Sequence, residues 1–325
     1  MDLLPTDEQD EIAAQVRSVL AERFDIEAPT TEATWRTCAE LGWFGLGVSE
    51  AHGGVGYSIV EETLLFEELG AAAAVGPLLG TQIAAHVAAG AAEPELVAAI
   101  LAGDHRVAVA EARDGGGSDG TVTIIDSVDA TLVLRLDSGS ASLFEISAVT
   151  AAEPLDSIDV LIGIETARLE DPPLVTAIGS AYWNSATLLS AAYLAGIAGA
   201  VTAQSTQYAK DRQQFGQPIG GFQAVKHRCA DMATRAEAAR AQARYAALVV
   251  RDGLAGAAFQ VHSARVVATA AAIGNAQINI QNHGGIGFTW EHTAHRFLTR
   301  ARVWSQLIGN QPLHLAATLD AEFGN

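Results

Sequence analysis

Apolar residues recur at helical spacing through roughly the first hundred positions. Ile12, Val16, Leu20 and Phe24 fall on one face of a helix. Thr6, with Gln9 three positions on, supplies a capping-box signature in front of them. A second helix is expected over Glu32 to Leu41, stopped by Gly42. The run HGGVG at 52–56 separates it from a third helix through Glu61 to Leu69, with Gly70 as its C-cap. Two alanine-rich helices follow, to about residue 102. The period changes near Val107. Segments 121–125, 130–136 and 141–146 are short, rich in β-branched residues and bounded by Gly, Ser or Asp, which predicts strands. This β region is expected to end near Pro172 and Pro173. Helical spacing then returns, with long candidates over 175–210, 222–252 and 254–282. The glycine run HGGIGF at 283–288 and a last helix or pair of helices complete the chain. The pattern predicts a mainly α chain with a small β domain. Its parts are an N-terminal helical domain over 1–105, a β domain over 106–173 and a C-terminal helical bundle over 174–325. Long antiparallel helices joined by short loops suggest four-helix packing in the last part.

Composition narrows the function classes. Hydrophobic residues make up 49% of the 325 and charged residues 18%, as expected of a chain with a large core. The net charge of −19 argues against nucleic acid or an anionic membrane as partner. Lys210 and Lys226 are the only lysines, so an anionic ligand must be held by arginines and backbone N–H groups. Cys38 and Cys229 have neither metal-ligand nor disulfide spacing and read as thiols in a reducing cytoplasm. The N-terminal MDLLPTDEQDEI has no signal-peptide character, and no membrane span is expected.

Two segments carry candidate chemistry. In RQQFGQPIGGFQ (Arg212 to Gln223), an arginine fork suits a pyrophosphate, and the neighbouring aromatic suits an adenine or ribose. Gly216 and Pro218 shape the turn, although an ordinary surface loop explains the same residues. In QNHGGIGF (Gln281 to Phe288), glycines let a backbone approach a ligand closely, and a plain turn is again the simpler reading.

Taken together, the two segments resemble the acyl-CoA dehydrogenase family. The likeness runs through YAKDRQQFGQPIGGFQAVKHRCADM (208–232) and QNHGGIGFTWEHTAHRFLTRAR (281–302). TWRTCAELGWFGLGVSEAHGGVG (34–56) resembles the family's first domain. The resemblance implies an N-terminal helical domain, a middle β-barrel or sheet domain and a C-terminal four-helix bundle. It also implies FAD shared across a subunit interface. Arg212, Gln214, Phe215, Gln223, Gln281, Gly284 and Gly285 would contact a flavin held by a neighbour.

The family reaction removes an α-proton with a carboxylate and passes a hydride to the flavin. Where the family places Glu-Gly, this chain reads Ile308-Gly309-Asn310, and isoleucine accepts no proton. At an alternative base position it offers Arg244, which is no base either. Glu237, Asp252 and Glu291 match no base position and read as structural or surface groups. The β region holds no tryptophan between 106 and 172 and is reduced in length. Gly117-Ser118-Asp119 only weakly resembles an acyl-binding segment. Loss of the base with retention of the flavin-reaching segments resembles the base-lacking subunit of actinobacterial α2β2 acyl-CoA dehydrogenases. Those enzymes act on steroid-derived CoA thioesters. The expectation is a non-catalytic subunit with a second, base-bearing partner and an acyl-CoA substrate. A self-sufficient flavoenzyme with an unusual base or monooxygenase chemistry, and a non-enzymatic scaffold, stand as alternatives.

Overall fold

The computed structural model of the chain describes residues 4–112 and 120–321. The Gly117-Ser118-Asp119 fragment lies outside the described residues. The described chain is mostly helical, with one mixed sheet in its middle. It divides into two compact units. One comprises the segments up to Glu27, Thr63–Ala74 and from Leu188 on; the other comprises Ala28–Glu62 and Val75–Thr187.

In the first unit, α1 (Asp7–Arg23) opens on the expected capping box. Gln9 N–H donates to Thr6 Oγ1 at 3.2 Å, and Thr6 N–H donates to Gln9 Oε1 at 3.0 Å. Ala13, Val16 and Leu20 form its buried stripe.

In the second unit, α2 (Glu32–Glu40) is capped by Thr31, whose Oγ1 accepts from Thr34 N–H. The boundary between units falls inside α3 (Ile59–Ala71). Helix α4 (Leu78–Gly90) is nearly all buried, and α5 (Pro94–Leu101) starts on a proline, which is pre-set for a first turn.

Among the described residues, the sheet of the second unit has seven strands. These are β1 (Val107–Ala112), β2 (Thr121–Ile125), β3 (Leu132–Asp137), β4 (Ser140–Glu145), β5 (Val149–Leu155), β6 (Ile164–Leu169) and β7 (Val175–Ile178). Their spatial order is β5-β6-β2-β1-β3-β4-β7. Every pair is antiparallel except β1 with β3. Ala108, Ala110, Val122, Ile124, Val133, Phe144 and Ala167 form a core on one face of the sheet. On β1, Val107 N–H donates to Thr81 Oγ1 at 3.1 Å, which ties α4 to the sheet. Strand β7 corrects the helix expected from residue 175; the helix instead begins at Ala181.

Helix α6 (Ala181–Asp211) has 31 residues and is long and apolar enough to cross a membrane, yet it is mostly buried within the protein. It is followed by a minimal hairpin, β8 (Gln213–Gln214) with β9 (Gln217–Pro218). Then come α7 (Gln223–Arg251), α8 (Ala257–His283), α9 (Ala294–Trp304) and α10 (Gln311–Asp320). These four helices and the C-terminal part of α6 belong to the first unit.

Candidate functional site

The segment singled out at 212–223 links α6 to α7. Pairing of Gln213 with Pro218 and of Gln214 with Gln217 forces a two-residue turn, Phe215-Gly216. Both turn residues are left-handed, with φ of 52° and 81°. This is the turn whose twist matches a hairpin, and it favours Asn, Asp or Gly at its first position. A phenylalanine there is strained by roughly 1–2 kcal/mol. Its ring gains little in return, being 92% exposed, with one edge-on contact to Phe222 at a centroid distance of 6.1 Å.

The second segment follows α8. Gly284 has φ 67° and ψ −143°, a conformation that excludes a side chain. Gly285 is different. Its φ is not positive, and a Cβ there would meet nothing within 4 Å. Neither conformation nor packing within the chain requires a glycine at 285. At Gly287 a Cβ would meet Ile280 O at 2.8 Å, so that glycine serves internal packing.

The two segments lie at one end of the helices. Tyr208, four residues before Arg212, stacks on His283 at 4.2 Å between ring centroids. His283 Nδ1–H donates to Asn279 O at 2.8 Å, and His292 packs on its ring at 4.4 Å. Burial, and then the neighbouring His283 and His295 rings, push the His292 pKa down and favour a neutral ring. Asn282 Nδ2 donates to Ser205 Oγ at 2.8 Å and lies 3.8 Å from Cys229 Sγ, which joins α6, α7 and α8. Arg212, Gln214, Phe215, Gln223, Gln281, Gly284 and Gly285 are all exposed. So are Lys210, Lys226 and Arg228, making this a locally cationic end of a strongly acidic chain.

The acyl-CoA dehydrogenase N-terminal domain model matches residues 6–102, and the C-terminal domain model matches 182–318. The acyl-CoA dehydrogenase IpdE2 of Mycobacterium tuberculosis is 31% identical over 297 residues, covering 90% of this chain and 86% of that protein. The chain belongs to the acyl-CoA dehydrogenase family. That family consists of flavoprotein oxidoreductases. The acyl-CoA dehydrogenase FadE34 of the same organism is 34% identical over 309 residues, but this chain spans only 42% of its length. In fold, the chain resembles a structure of the ChsE4–ChsE5 complex from Mycobacterium tuberculosis, with a TM-score of 0.83 at 23% identity and 97% coverage of each chain. The matched domain models leave residues 103–181 between them, the stretch that holds the sheet.

Neither expected base position of this acyl-CoA dehydrogenase chain carries a base. Ile308 is 0% exposed and left-handed, with φ 58°. Arg244 lies on α7 and donates from Nε and Nη2 to the two oxygens of Glu67, at 3.0 and 3.2 Å. The pair borders a cavity of about 1000 Å³ among α1, α3, α6 and α7. Burial pushes the Glu67 carboxyl up, and Arg244 opposes the shift. The other named carboxylates are occupied or exposed. Glu237 pairs with Arg240. Arg251 holds Asp252 below the usual carboxylate range. Glu291 is fully exposed, and its backbone hydrogen bond lowers it.

Sequence reasoning missed the Tyr208–His283–His292 stack and the asparagines behind it. Asn275, Asn279 and Asn282 line the buried face of α8. Their Nδ2 groups reach Met232 O and Thr202 Oγ1, Gln204 Oε1, and Ser205 Oγ respectively. Their spacing is a readable helical signal, because three polar residues on one face of a core helix mark a hydrogen-bonded seam.

Proposed function

We propose that this chain is the non-catalytic subunit of a heteromeric acyl-CoA dehydrogenase. It completes the FAD site of a base-bearing partner, in an α2β2 assembly acting on a bulky, steroid-derived acyl-CoA in the cytoplasm. The observation that carries this reading is the exposure of all seven candidate flavin contacts together with the strained, outward-held Phe215. A folded chain gains little internally from that arrangement, which supports a gain from something bound outside it.

The residues present suit the cofactor. Arg212 offers a planar fork for a pyrophosphate, Phe215 a face for an adenine or ribose, and Gly285 an open backbone where a Cβ would obstruct an approaching group. Bound FAD supplies the hydride acceptor for α,β-dehydrogenation, and the base must come from the partner, because Ile308 and Arg244 take no proton. FadE34 supports a two-part assembly. The region like this chain fills 42% of it, which leaves room for a second such region in one polypeptide. ChsE4–ChsE5 is itself a complex of two chains. The two free cysteines suit a reducing compartment.

The test is purification of the chain alone and with a Glu-bearing partner. The lone chain is expected to carry little flavin and no acyl-CoA dehydrogenase activity; the co-expressed complex should hold both. Arg212→Ala in the complex should release flavin with the subunits still assembled. Stoichiometric FAD and full activity in the lone chain would overturn the proposal.

A further inference from the structure

The turn between α9 and α10 contains two consecutive left-handed residues, Ile308 with φ 58° and Gly309 with φ 84°. Glycine adopts this readily, whereas a β-branched residue does so only when its surroundings impose it. Three buried side chains impose it here. Arg265 of α8 donates from Nη2 to Trp304 O and to Leu307 O, both at 2.6 Å. His314 of α10 donates from Nε2 to Ile308 O at 2.9 Å. On its other side, His314 Nδ1 lies 2.9 Å from His262 Nδ1 of α8.

The proton positions follow from these partners. A carbonyl only accepts, so the proton of His314 sits on Nε2. In the neutral ring Nδ1 is then a bare acceptor, and the proton between the rings belongs to His262 Nδ1. The result is a one-way chain from His262 N–H to His314, and from His314 N–H to the Ile308 carbonyl. A second proton on His314 would set two N–H groups against each other at 2.9 Å. Apart from one another, the rings face one charged group among the described residues, the Arg265 guanidinium beside His314. The carbonyls of Ile308 and Gly309 act on His314 in the opposite sense. Among the described residues no carboxylate acts on either ring to compensate an imidazolium. Burial pushes His262 down. Burial, Arg265 and His262 together push His314 down to about 3.

We propose that His262 and His314 form a proton-operated latch on the 304–310 turn, closed while both rings are neutral and released when His314 takes up a proton. This is independent of the flavin reading. It concerns a turn held from inside the helical unit, and it stands or falls whether or not FAD binds.

The sign follows from linkage. A histidine whose pKa is lowered in the closed state favours closure above its ordinary value near 6.5, and that preference is lost as pH falls. Hydrogen exchange in the full chain, corrected for the intrinsic pH dependence of exchange, reads this out. Protection of amides 305–310 should fall by about tenfold from pH 7.5 to 5.5, while the α4 segment in the other unit holds steady. The double variant His262→Gln/His314→Gln should lose the pH dependence, because a Gln amide offers an N–H but does not titrate. An unchanged slope in that variant, or a wild-type turn that merely follows α4, would overturn the latch. A second measurement uses the wild type alone. In ring-labelled histidine NMR, His314 should stay neutral at pH 5.5 in the closed form. An ordinary titration of His314 with the turn still protected would sink the proposal.

Discussion

At the scale of the residue, Phe215 separates what the chain needs for folding from what it carries for something else. Its φ of 52° suits Asn far better, and its ring is 92% exposed. Phe215→Asn should therefore raise the stability of the lone chain by about 1 kcal/mol, measured by urea unfolding, since asparagine tolerates the left-handed conformation. The same change should lower flavin retention in the assembled complex. A variant that is both more stable and better at holding flavin would remove the reason for reading this turn as a contact. Gly285 gives the same contrast from the opposite direction, since a side chain there meets no strain and no neighbour.

At the scale of the element, Arg244 and Glu67 join α7 to α3 within the helical unit. Their side chains are 27% and 13% exposed, so removing one leaves the other short of water. Arg244→Ala should destabilise the chain by about 1–3 kcal/mol. Burial already raises the Glu67 pKa and Arg244 restrains it, so the variant lets it rise further. A raised carboxylate pKa disfavours the folded state as pH climbs through it. The loss measured by denaturant should thus be larger at pH 8 than at pH 5, and the opposite trend would contradict the pairing. Elements of this kind were only partly legible in the sequence. The helices were readable because caps and apolar stripes are local: Thr6 and Gln9 form the capping box their spacing predicts. Strands β5 and β7 were not. Residues 151–155 of β5 are exposed and include Pro154, so no hydrophobic alternation marks it, and it is ordered by pairing with β6 at the sheet edge. Strand β7 has four residues beside an alanine-rich helix and owes its place to β4. At the candidate site, the sequence motif proposes the residues, but their exposure and the stack of Tyr208 on His283 depend on contacts distant in sequence.

At the scale of the whole molecule, α7 is unevenly supported. Its C-terminal half buries Ala236, Ala239, Ala243, Ala246, Ala247, Leu248 and Val249, whereas from Gln223 to Arg235 only Met232 is buried. A helix is held mainly by packing of its apolar face, and intrinsic propensity alone is marginal over so short a stretch. In the lone chain, amides of 223–235 should therefore exchange at least about tenfold faster than those of 236–249. A second copy of the chain is a poor cover, because two bodies of net charge −19 repel at low salt. The exposed stretch itself carries Lys226, Arg228 and Arg235, which suits an anionic group on a different subunit. Assembly with a Glu-bearing partner and FAD should slow exchange over 223–235 and leave 236–249 unchanged, and added salt should weaken that protection by screening. If 223–235 is already fully protected in the lone chain, or exchanges equally fast after assembly, this face of α7 is not where the partner docks.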